Sequence, residues 1–249
     1  MLFILSAAIA PALILLWYVY HKDINPEPQR LVLKAFLYGA LATFVSTLIS
    51  GPLLTLGYFS LEPDSIWESI KISFLGAAIP EECAKLLMLW LLLRKSAEFD
   101  ERYDGIVYAA AVGLGFATLE NLQYLIAAGA DWYSVSISRA LFAVPGHFCF
   151  AVIMGYYYSQ YHFTGNPAAK WKTLLYPVLL HGTYDTIVFS SNLSGILSSV
   201  FTLLLLVFCF RLFKSTRRRI LAEAAEGSRN YTLIRDSDAS LTGGEPDEQ

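Results

Sequence analysis

Charged residues and cysteines are scarce in this chain, and basic residues do not outnumber acidic ones. Of its 249 residues only 16% are charged, whereas 55% are hydrophobic and the mean hydropathy is +0.48. This composition excludes a water-soluble single domain. The net charge of −3 provides no basic field that would hold nucleic acid. The three cysteines, Cys83, Cys149 and Cys209, each lie in an apolar run, so the sequence contains neither a disulfide framework nor a CxxC metal site.

Long apolar runs are abundant instead, and they predict an all-α, polytopic membrane protein. A hydrocarbon core about 30 Å thick requires roughly 20 apolar residues in a helix, and seven stretches of the chain meet this length. All five tryptophans fall at the predicted span ends, where the indole ring lies among the lipid headgroups. The predicted spans are 2–20, 31–58, 70–93, 105–127, 136–158, 172–191 and 194–213.

The lysines and arginines predict the orientation of these spans. They occur in the first, third and fifth connectors and in the segment after the last span, but not in the other connectors or at the N-terminal end. Because cytoplasmic connectors are enriched in Lys and Arg, we expect the N-terminus outside and the C-terminus in the cytoplasm. Lys34, Lys172 and Arg211 lie at the basic ends of their spans, and the only others inside spans are Lys71, Lys85 and Arg139. Arg139 is near the outer face, so we expect it to extend to the headgroups or to pair with Asp131.

The sequence divides into a membrane domain and a polar tail. Residues 1–213 are predicted to form one integral membrane domain, in which the spans at about 70–191 carry nearly all of the buried ionisable residues. Residues 214–249 begin with a basic segment and end in a polar segment rich in Gly, Asp and Glu. We expect this tail to be cytoplasmic and largely disordered, with its basic part at the anionic inner leaflet.

Ionisable side chains lie at a common depth in four of the predicted spans. A charge at mid-bilayer costs roughly 2.5 to 3.5 kcal/mol, so four carboxylates and a lysine facing lipid would cost on the order of 15 kcal/mol. They are therefore expected to face one another, water or an ion. Their formal charge is −3, so either some carboxyls are protonated or a cation is bound, and two nearby imidazoles favour a divalent metal. The layer consists of Glu81, Glu82, Lys85, Glu120, His147, His181 and Asp185.

Helical spacing predicts which of these side chains share a face. Glu81 and Lys85 are four residues apart, as are His181 and Asp185. An aspartate in that position suits the orientation of an imidazole or a shared site. Glu82 lies about 100° around the helix from Glu81, so only a broad pocket receives both carboxylates.

Prolines and glycines stand next to the polar positions. Pro80, Pro145 and Pro177 precede three of the polar groups, and each is expected to open its helix by removing a backbone hydrogen bond. Gly113 and Gly115 lie before the acidic position of the fourth span and permit close helix approach. These features predict a water-accessible cavity among loosened helices.

Three motifs occur in order in predicted spans three to six. They are PEECAK at 80–85 (EExxK), FATLE at 116–120 (FxxxE) and HGTYD at 181–185 (HxxxD), with Gly146-His147 between the last two. Together they resemble the motifs of the PrsW family of intramembrane proteases, over about half of the chain. The related CAAX prenyl protease and bacteriocin-processing group has EExxxR, FxxxH and HxxxN, so Lys85, Glu120 and Asp185 favour PrsW.

The resemblance implies an endopeptidase of the cytoplasmic (inner) membrane. Its partners would be the lipid bilayer and a single-pass membrane protein substrate, typically an anti-sigma factor, and nucleic acid would not be one. Cleavage on the extracytoplasmic side would be the first step (site-1 cleavage) in releasing a sigma factor.

Peptide hydrolysis requires an activated water, a charge sink for the oxyanion and an acid for the leaving amine. In one hypothesis Glu81 or Glu82 is the general base and a Zn²⁺ ion lowers the pKa of water to about 7, while Lys85 sets the charge of the carboxylates. In a second, metal-free version a glutamate and a histidine activate water directly. The candidate catalytic set is Glu81, Glu82, Lys85, Glu120, His147, His181 and Asp185, and the candidate metal ligands are His147, His181, Glu81 and Glu120, with Asp185 as a further carboxylate.

A proton- or ion-coupled membrane transporter is the alternative function. Midplane carboxylates, histidines and broken helices are expected in such carriers as well. Carriers of this kind are commonly built from two repeated halves, whereas here the polar spans are four in a row without a second set. A ligand-sensing receptor is supported only by the number of spans, which carries little weight.

Overall fold

The computed structural model describes residues 1–193 and 196–242, with side chains described for 1–193, 198–229 and Thr232. Both ranges are helical and contain no strand. A π-helical segment, Ile72–Ala78, joins α3 to α4, and a second, Arg139–Ala143, joins α6 to α7. The helices are α1 (Leu2–Tyr20), α2 (Gln29–Thr55), α3 (Ile66–Lys71), α4 (Ile79–Leu93), α5 (Arg102–Ala127), α6 (Trp132–Ser138), α7 (Val144–Thr164), α8 (Pro167–Ser191) and α9 (Ile196–Thr242).

These helices form seven rods over the described ranges, because α3 is continuous with α4 and α6 with α7. Five segments of the described chain are long and apolar enough to cross a membrane. The other two rods, α3–α4 and α8, carry most of the polar side chains that the sequence places at mid-depth, which lowers their hydropathy. The predicted start of the seventh span, Ser194, lies outside the described residues. The five segments are Leu2–Tyr20, Gln29–Thr55, Arg102–Ala127, Gly129–Thr164 and Ser198–Arg229.

Each π-helical segment leads into a proline. Pro80 and Pro145 lie at the second position of the α-helices that follow these segments. A proline ring collides with the carbonyl four residues earlier in a regular helix, and a widened turn relieves this collision. Pro177, by contrast, lies inside α8 with no π-helical segment before it. The expected opening of the helix is therefore seen at two of the three prolines.

The central helix is α5, which packs against α1, α2 and α7. Glycines make its closest crossing possible. A Cβ atom on Gly115 would overlap the carbonyl oxygen of Phe36 in α2, and one on Gly39 would overlap the carbonyl oxygen of Val112. A Cβ atom on Gly113 would overlap the Ala151 side chain of α7. The close approach predicted from Gly113 and Gly115 is thus present in the structure.

The basic connectors meet at one end of the bundle. The Tyr103 hydroxyl donates to a carbonyl near the end of α1 at 2.9 Å, which joins the first connector to the third. The Phe99 ring packs against His162, with centroids 4.6 Å apart, and this contact adds the fifth connector. Arg102 pairs with Glu223 of α9 at 3.1 Å. The Lys- and Arg-containing connectors, which alternate with the others along the sequence, therefore lie together on one surface of the fold.

Helix α9 runs without a break through the boundary expected near residue 214. Thr216 and Ile220 are buried against the bundle, and Arg102 holds Glu223 at the next turn. A largely disordered tail was expected from residue 214; the structure describes helix to Thr242, and these contacts hold its turns as far as Glu223. The polar residues 243–249 lie outside the described part of the chain.

Candidate active site

All seven side chains of the polar layer lie in one cluster, to which α4, α5, α7 and α8 contribute. Polar contacts of 3.3 Å or less connect every member to the next. The order of contact is Glu120, His147, Lys85, Glu82, His181 and Asp185, with Glu81 joined through Lys85.

Lys85 is the centre of the cluster. Because it lies three and four residues after the paired glutamates, its ammonium reaches back to both of them. The Nζ atom donates to Glu82 Oε1 at 2.9 Å and to Glu81 Oε2 at 3.3 Å. It also stands 3.9 Å from the centre of the Phe116 ring. The broad pocket that the two carboxylates require is therefore organised around one buried cation.

The same ammonium fixes the proton of His147. Lys85 Nζ is 3.0 Å from His147 Nδ1, and since an ammonium has no lone pair, Nδ1 must accept. A neutral His147 then carries its proton on Nε2, which is 2.9 Å from Glu120 Oε2. This arrangement makes His147 a hydrogen-bond donor toward Glu120.

His181 has a carboxylate at each ring nitrogen. Its Nδ1 lies 2.8 Å from Glu82 Oε1, and its Nε2 lies 3.2 Å from Asp185 Oδ2 and 3.9 Å from Glu81 Oε2. The ring stacks on Phe150 with centroids 4.9 Å apart. The stacked Phe150 ring and the carboxylates at the two ring nitrogens fix the plane of the imidazole, and the carboxylates stabilise its protonated form.

The paired glutamates differ in their exposure. Glu82 is 0% exposed, and its Oε1 receives hydrogen bonds from two side chains. Its Oε2 is buried without a partner among the described residues. Glu81 retains 9% exposure and makes one long hydrogen bond. Glu81 is therefore the member of the pair that solvent reaches more readily.

Two imidazoles and one carboxylate are close enough to hold a metal ion. One donor atom each from Glu81, His147 and His181 lies within 4.8 Å of the others, and all three residues are buried. Two nitrogens and one carboxylate oxygen form a common catalytic zinc set with an open fourth position, so these residues fit a divalent ion. Binding through His147 Nε2 requires its proton to be on Nδ1, so the contact with Lys85 has to change.

Glu120, the fourth expected ligand, is instead held by Arg139. The guanidinium donates from Nη2 to Glu120 Oε2 at 2.6 Å and from Nε to Asn121 Oδ1 at 2.9 Å. It also covers the Tyr124 ring at 4.0 Å. Arg139 thus faces the site, and the expectation that it extends to the headgroups or pairs with Asp131 was wrong. Its position inside an apolar span was the available signal, because a buried arginine requires a carboxylate partner.

Comparison with known proteins gives one consistent family. The family described as PrsW family intramembrane metalloprotease matches residues 27–213. Protease PrsW of Geobacillus kaustophilus is 38% identical over 205 residues, which are 81% of this chain and 87% of that protein. Protease PrsW of Bacillus subtilis is 42% identical over 190 residues, 74% of this chain and 82% of the relative. Protease PrsW of Oceanobacillus iheyensis is 38% identical over 225 residues, 89% of this chain and all of the relative.

No solved structure matches the chain. The family match covers the spans that supply every side chain of the cluster, together with α2 and the apolar part of α9. The chain belongs to the PrsW family of intramembrane metalloproteases.

Proposed function

We propose that this protein is a glutamate-dependent endopeptidase that hydrolyses a peptide bond in a single-pass membrane protein. The observation that carries the proposal is the position of the Glu81 carboxylate, which is more exposed than Glu82 and lies beside two buried histidines. Lys85 hydrogen-bonds to both glutamates and holds them in place. The family resemblance makes an anti-sigma factor the expected substrate.

The depth of the cluster supports cleavage near the outer face of the cytoplasmic (inner) membrane. Glu120 lies about 10 Å from the end of α5 at Ala127 and about 27 Å from its start at Arg102. The basic connectors lie at the start of α5, and cytoplasmic connectors are the basic ones. Glu120, at one end of the cluster, is therefore closer to the side that we assign as extracytoplasmic, whereas Glu81 lies near the middle of the α3–α4 segment.

In this mechanism Glu81 takes the proton of the attacking water. Glu82 is less suited to this step, because Lys85 and His181 already occupy its Oε1 and the residue is fully buried. Its part is to position those two side chains. General-base catalysis of this kind contributes about 10²- to 10⁴-fold to the rate.

His181 gives a proton to the leaving amine. The carboxylates of Glu82 and Asp185 stabilise its protonated form and fix the ring in place. His147 and Glu120 lie on the opposite side of Lys85, where they complete the polar wall of the site. In the alternative, metal-dependent version, Glu81, His147 and a neutral His181 would hold a divalent ion instead of acting as free base and acid, and the ion would supply Lewis-acid polarisation of the scissile carbonyl.

Co-expression with a tagged single-pass substrate tests this assignment. We expect Glu81→Gln and His181→Ala to lower cleavage about 100-fold or more, because each removes a proton-transfer group. Glu68→Gln, which breaks the 2.5 Å surface pair with Lys71, serves as the matched control and should cleave normally. Normal cleavage by both site variants, together with a loss of ion flux, would establish the transporter instead.

The same purified proteins decide the metal dependence. The metal-dependent version predicts bound zinc in the wild type, less zinc in His181→Ala, and loss of cleavage after chelation that zinc restores. Full cleavage by a protein shown to contain no metal would leave the direct Glu81–His181 mechanism as the correct version.

A further inference from the structure

A second group of carboxylates lies at the other end of α5, away from the candidate active site. Asp104 is about 24 Å along the helix from Glu120. The connector between α1 and α2 supplies two acids of this group, and the start of α5 supplies the other two, one of which is Asp104. The acidic cluster consists of Asp23, Glu27, Glu101 and Asp104.

These carboxylates point at one another. One oxygen each from Asp23, Glu101 and Asp104 lies within 4.8 Å of the others. Glu27 joins the group from the side, where it accepts a hydrogen bond from the Tyr108 hydroxyl. Four acids from two separate segments of the chain therefore share one small volume.

Backbone N–H groups donate to one oxygen of Asp104 and one of Asp23, but among the described residues no Lys or Arg balances the charge of this cluster. Asp23 is 8% exposed and Asp104 is 0% exposed. Asp23 Oδ2 and Asp104 Oδ1 are buried without a hydrogen-bond partner, and no salt bridge within residues 1–193 and 198–229 joins the cluster to a Lys or Arg. The adjacent Arg102 is bound to α9 instead. Burying unpaired carboxylates costs several kcal/mol for each ion.

Either protons or a cation must relieve this repulsion. Burial, followed by the charge of Glu101, raises the pKa of Asp23 to about 7. Burial and the neighbouring Asp100 also raise the pKa of Glu101. Groups with raised pKa values are poor anions in the absence of a counter-charge, and a bound divalent ion supplies that charge.

We propose that Asp23, Glu101 and Asp104 form a binding site for a hard divalent cation of the Mg²⁺ and Ca²⁺ class, separate from the active site. Oxygen-only ligands are the donors that these ions prefer, whereas zinc favours the nitrogen-containing set at the active site. The two orphaned oxygens, Asp23 Oδ2 and Asp104 Oδ1, are the unsatisfied ligand positions.

Glu101 is the partly exposed member of the proposed site. It lines a pocket of about 200 Å³ together with Asp100, Arg102, Glu223 and Glu226, and Arg102 pairs with both glutamates. A bound ion would join the α1–α2 connector to the start of α5, beside the point where Arg102 holds α9.

Manganese binding to the full-length, detergent-purified protein tests the proposal, because Mn²⁺ accepts the same oxygen ligands and is visible by electron paramagnetic resonance. The background variant His181→Ala weakens the active-site metal set. We expect one Mn²⁺ to remain bound in this background and the dissociation constant to rise at least tenfold when Asp23→Asn and Asp104→Asn are added. The matched control, Glu62→Gln with Asp64→Asn, neutralises two exposed acids and should bind as before.

Thermal unfolding of the unmodified chain provides a readout that does not depend on the variants folding. We expect Mg²⁺ at about 100 times its dissociation constant to raise the apparent Tm by about 5 to 10 °C relative to NaCl of equal ionic strength. Two results would overturn the proposal. Loss of Mn²⁺ on His181→Ala alone assigns the ion to the active site, and absence of any Mg²⁺ or Ca²⁺ effect shows that protons neutralise the cluster.

Discussion

At the residue scale, the charge of the active-site cluster depends on a few ion pairs. Lys85 and Arg139 provide two positive charges against the four carboxylates, which leaves two negative charges. His181, with carboxylates at both ring nitrogens, is placed to hold one proton. A proton on Glu81 or a bound cation balances the remainder. The site is therefore suited to proton transfer, because its ionisable groups are coupled to one another.

Arg139 is predicted to be a positioning residue for Glu120. Its Nε and Nη2 bind Asn121 and Glu120 at the same time, and a lysine has one nitrogen with which to replace them. We expect Arg139→Gln to lower kcat at least about tenfold with a smaller change in KM, since a misplaced Glu120 disturbs His147. Arg139→Lys should fall between this variant and wild type. The measurement is steady-state cleavage of a membrane substrate by purified protein.

Arg94→Gln is the control for the loss of an arginine. Arg94 lies on the Trp90 ring at the basic end of the bundle, away from the cluster. It should keep the wild-type kcat. Equal kcat values for Arg139→Gln and wild type would contradict the positioning role, provided that both proteins unfold at the same temperature.

At the element scale, the crossing of α2 and α5 depends on the absence of side chains. An added Cβ on Gly39 would overlap backbone atoms of Val112, which cannot move without shifting a helix. We expect Gly39→Ala to destabilise the protein by about 1 to 3 kcal/mol, as overpacking does. Thermal unfolding in detergent measures this effect.

Gly227→Ala is the matched control, because it adds the same methyl group to a helical glycine. At that position the nearest neighbouring atom is 3.4 Å from the added Cβ. We expect no loss of stability, since alanine favours a helix over glycine by about 1 kcal/mol. Equal destabilisation by both substitutions would show that the α2–α5 crossing is looser than the structure indicates.

Much of the architecture was predictable from hydropathy, because each span is a local property of about 20 residues. The polar layer was predictable for the same reason, since depth follows from position in a span. The pairing of Arg139 with Glu120 was not predictable, because the π-helical segment Arg139–Ala143 changes the direction of the side chains relative to a regular helix. The continuation of α9 was also missed, because Thr216 and Ile220 are buried by distant parts of the chain.

The acidic cluster shows the same limit of sequence reasoning. Asp23 and Asp104 are 81 residues apart in the chain and lie in predicted connectors, where isolated acids are ordinary. Only the packing of α1 against α5 brings them together and buries them. A local pattern therefore predicted the candidate active-site residues, several of which are spaced by one helical turn, but not a cluster that depends on the tertiary fold.

At the scale of the whole molecule, one end of the bundle carries the basic connectors, the acidic cluster and the docked part of α9. Lys and Arg mark cytoplasmic connectors, so this end is assigned to the cytoplasm. With this orientation the acidic cluster would be exposed to cytoplasmic Mg²⁺, and Glu120 of the candidate active site would lie toward the opposite face. Orientation thus links the proposed cation site and the proposed side of cleavage.

The orientation itself is the last prediction. Exposed cysteines introduced as Ser60→Cys in the second connector and Ala97→Cys in the third should lie on opposite sides of the membrane. A membrane-impermeant maleimide applied to intact spheroplasts should label Ser60→Cys and should label Ala97→Cys only after lysis. Both variants require a background from which the native Cys83, Cys149 and Cys209 have been removed. The cysteine-free parent protein is the control and should remain unlabelled in both conditions. The reverse labelling pattern would place the basic end outside, and it would move both the cleavage side and the proposed Mg²⁺ site to the other face, because the rigid bundle fixes the two sites relative to each other.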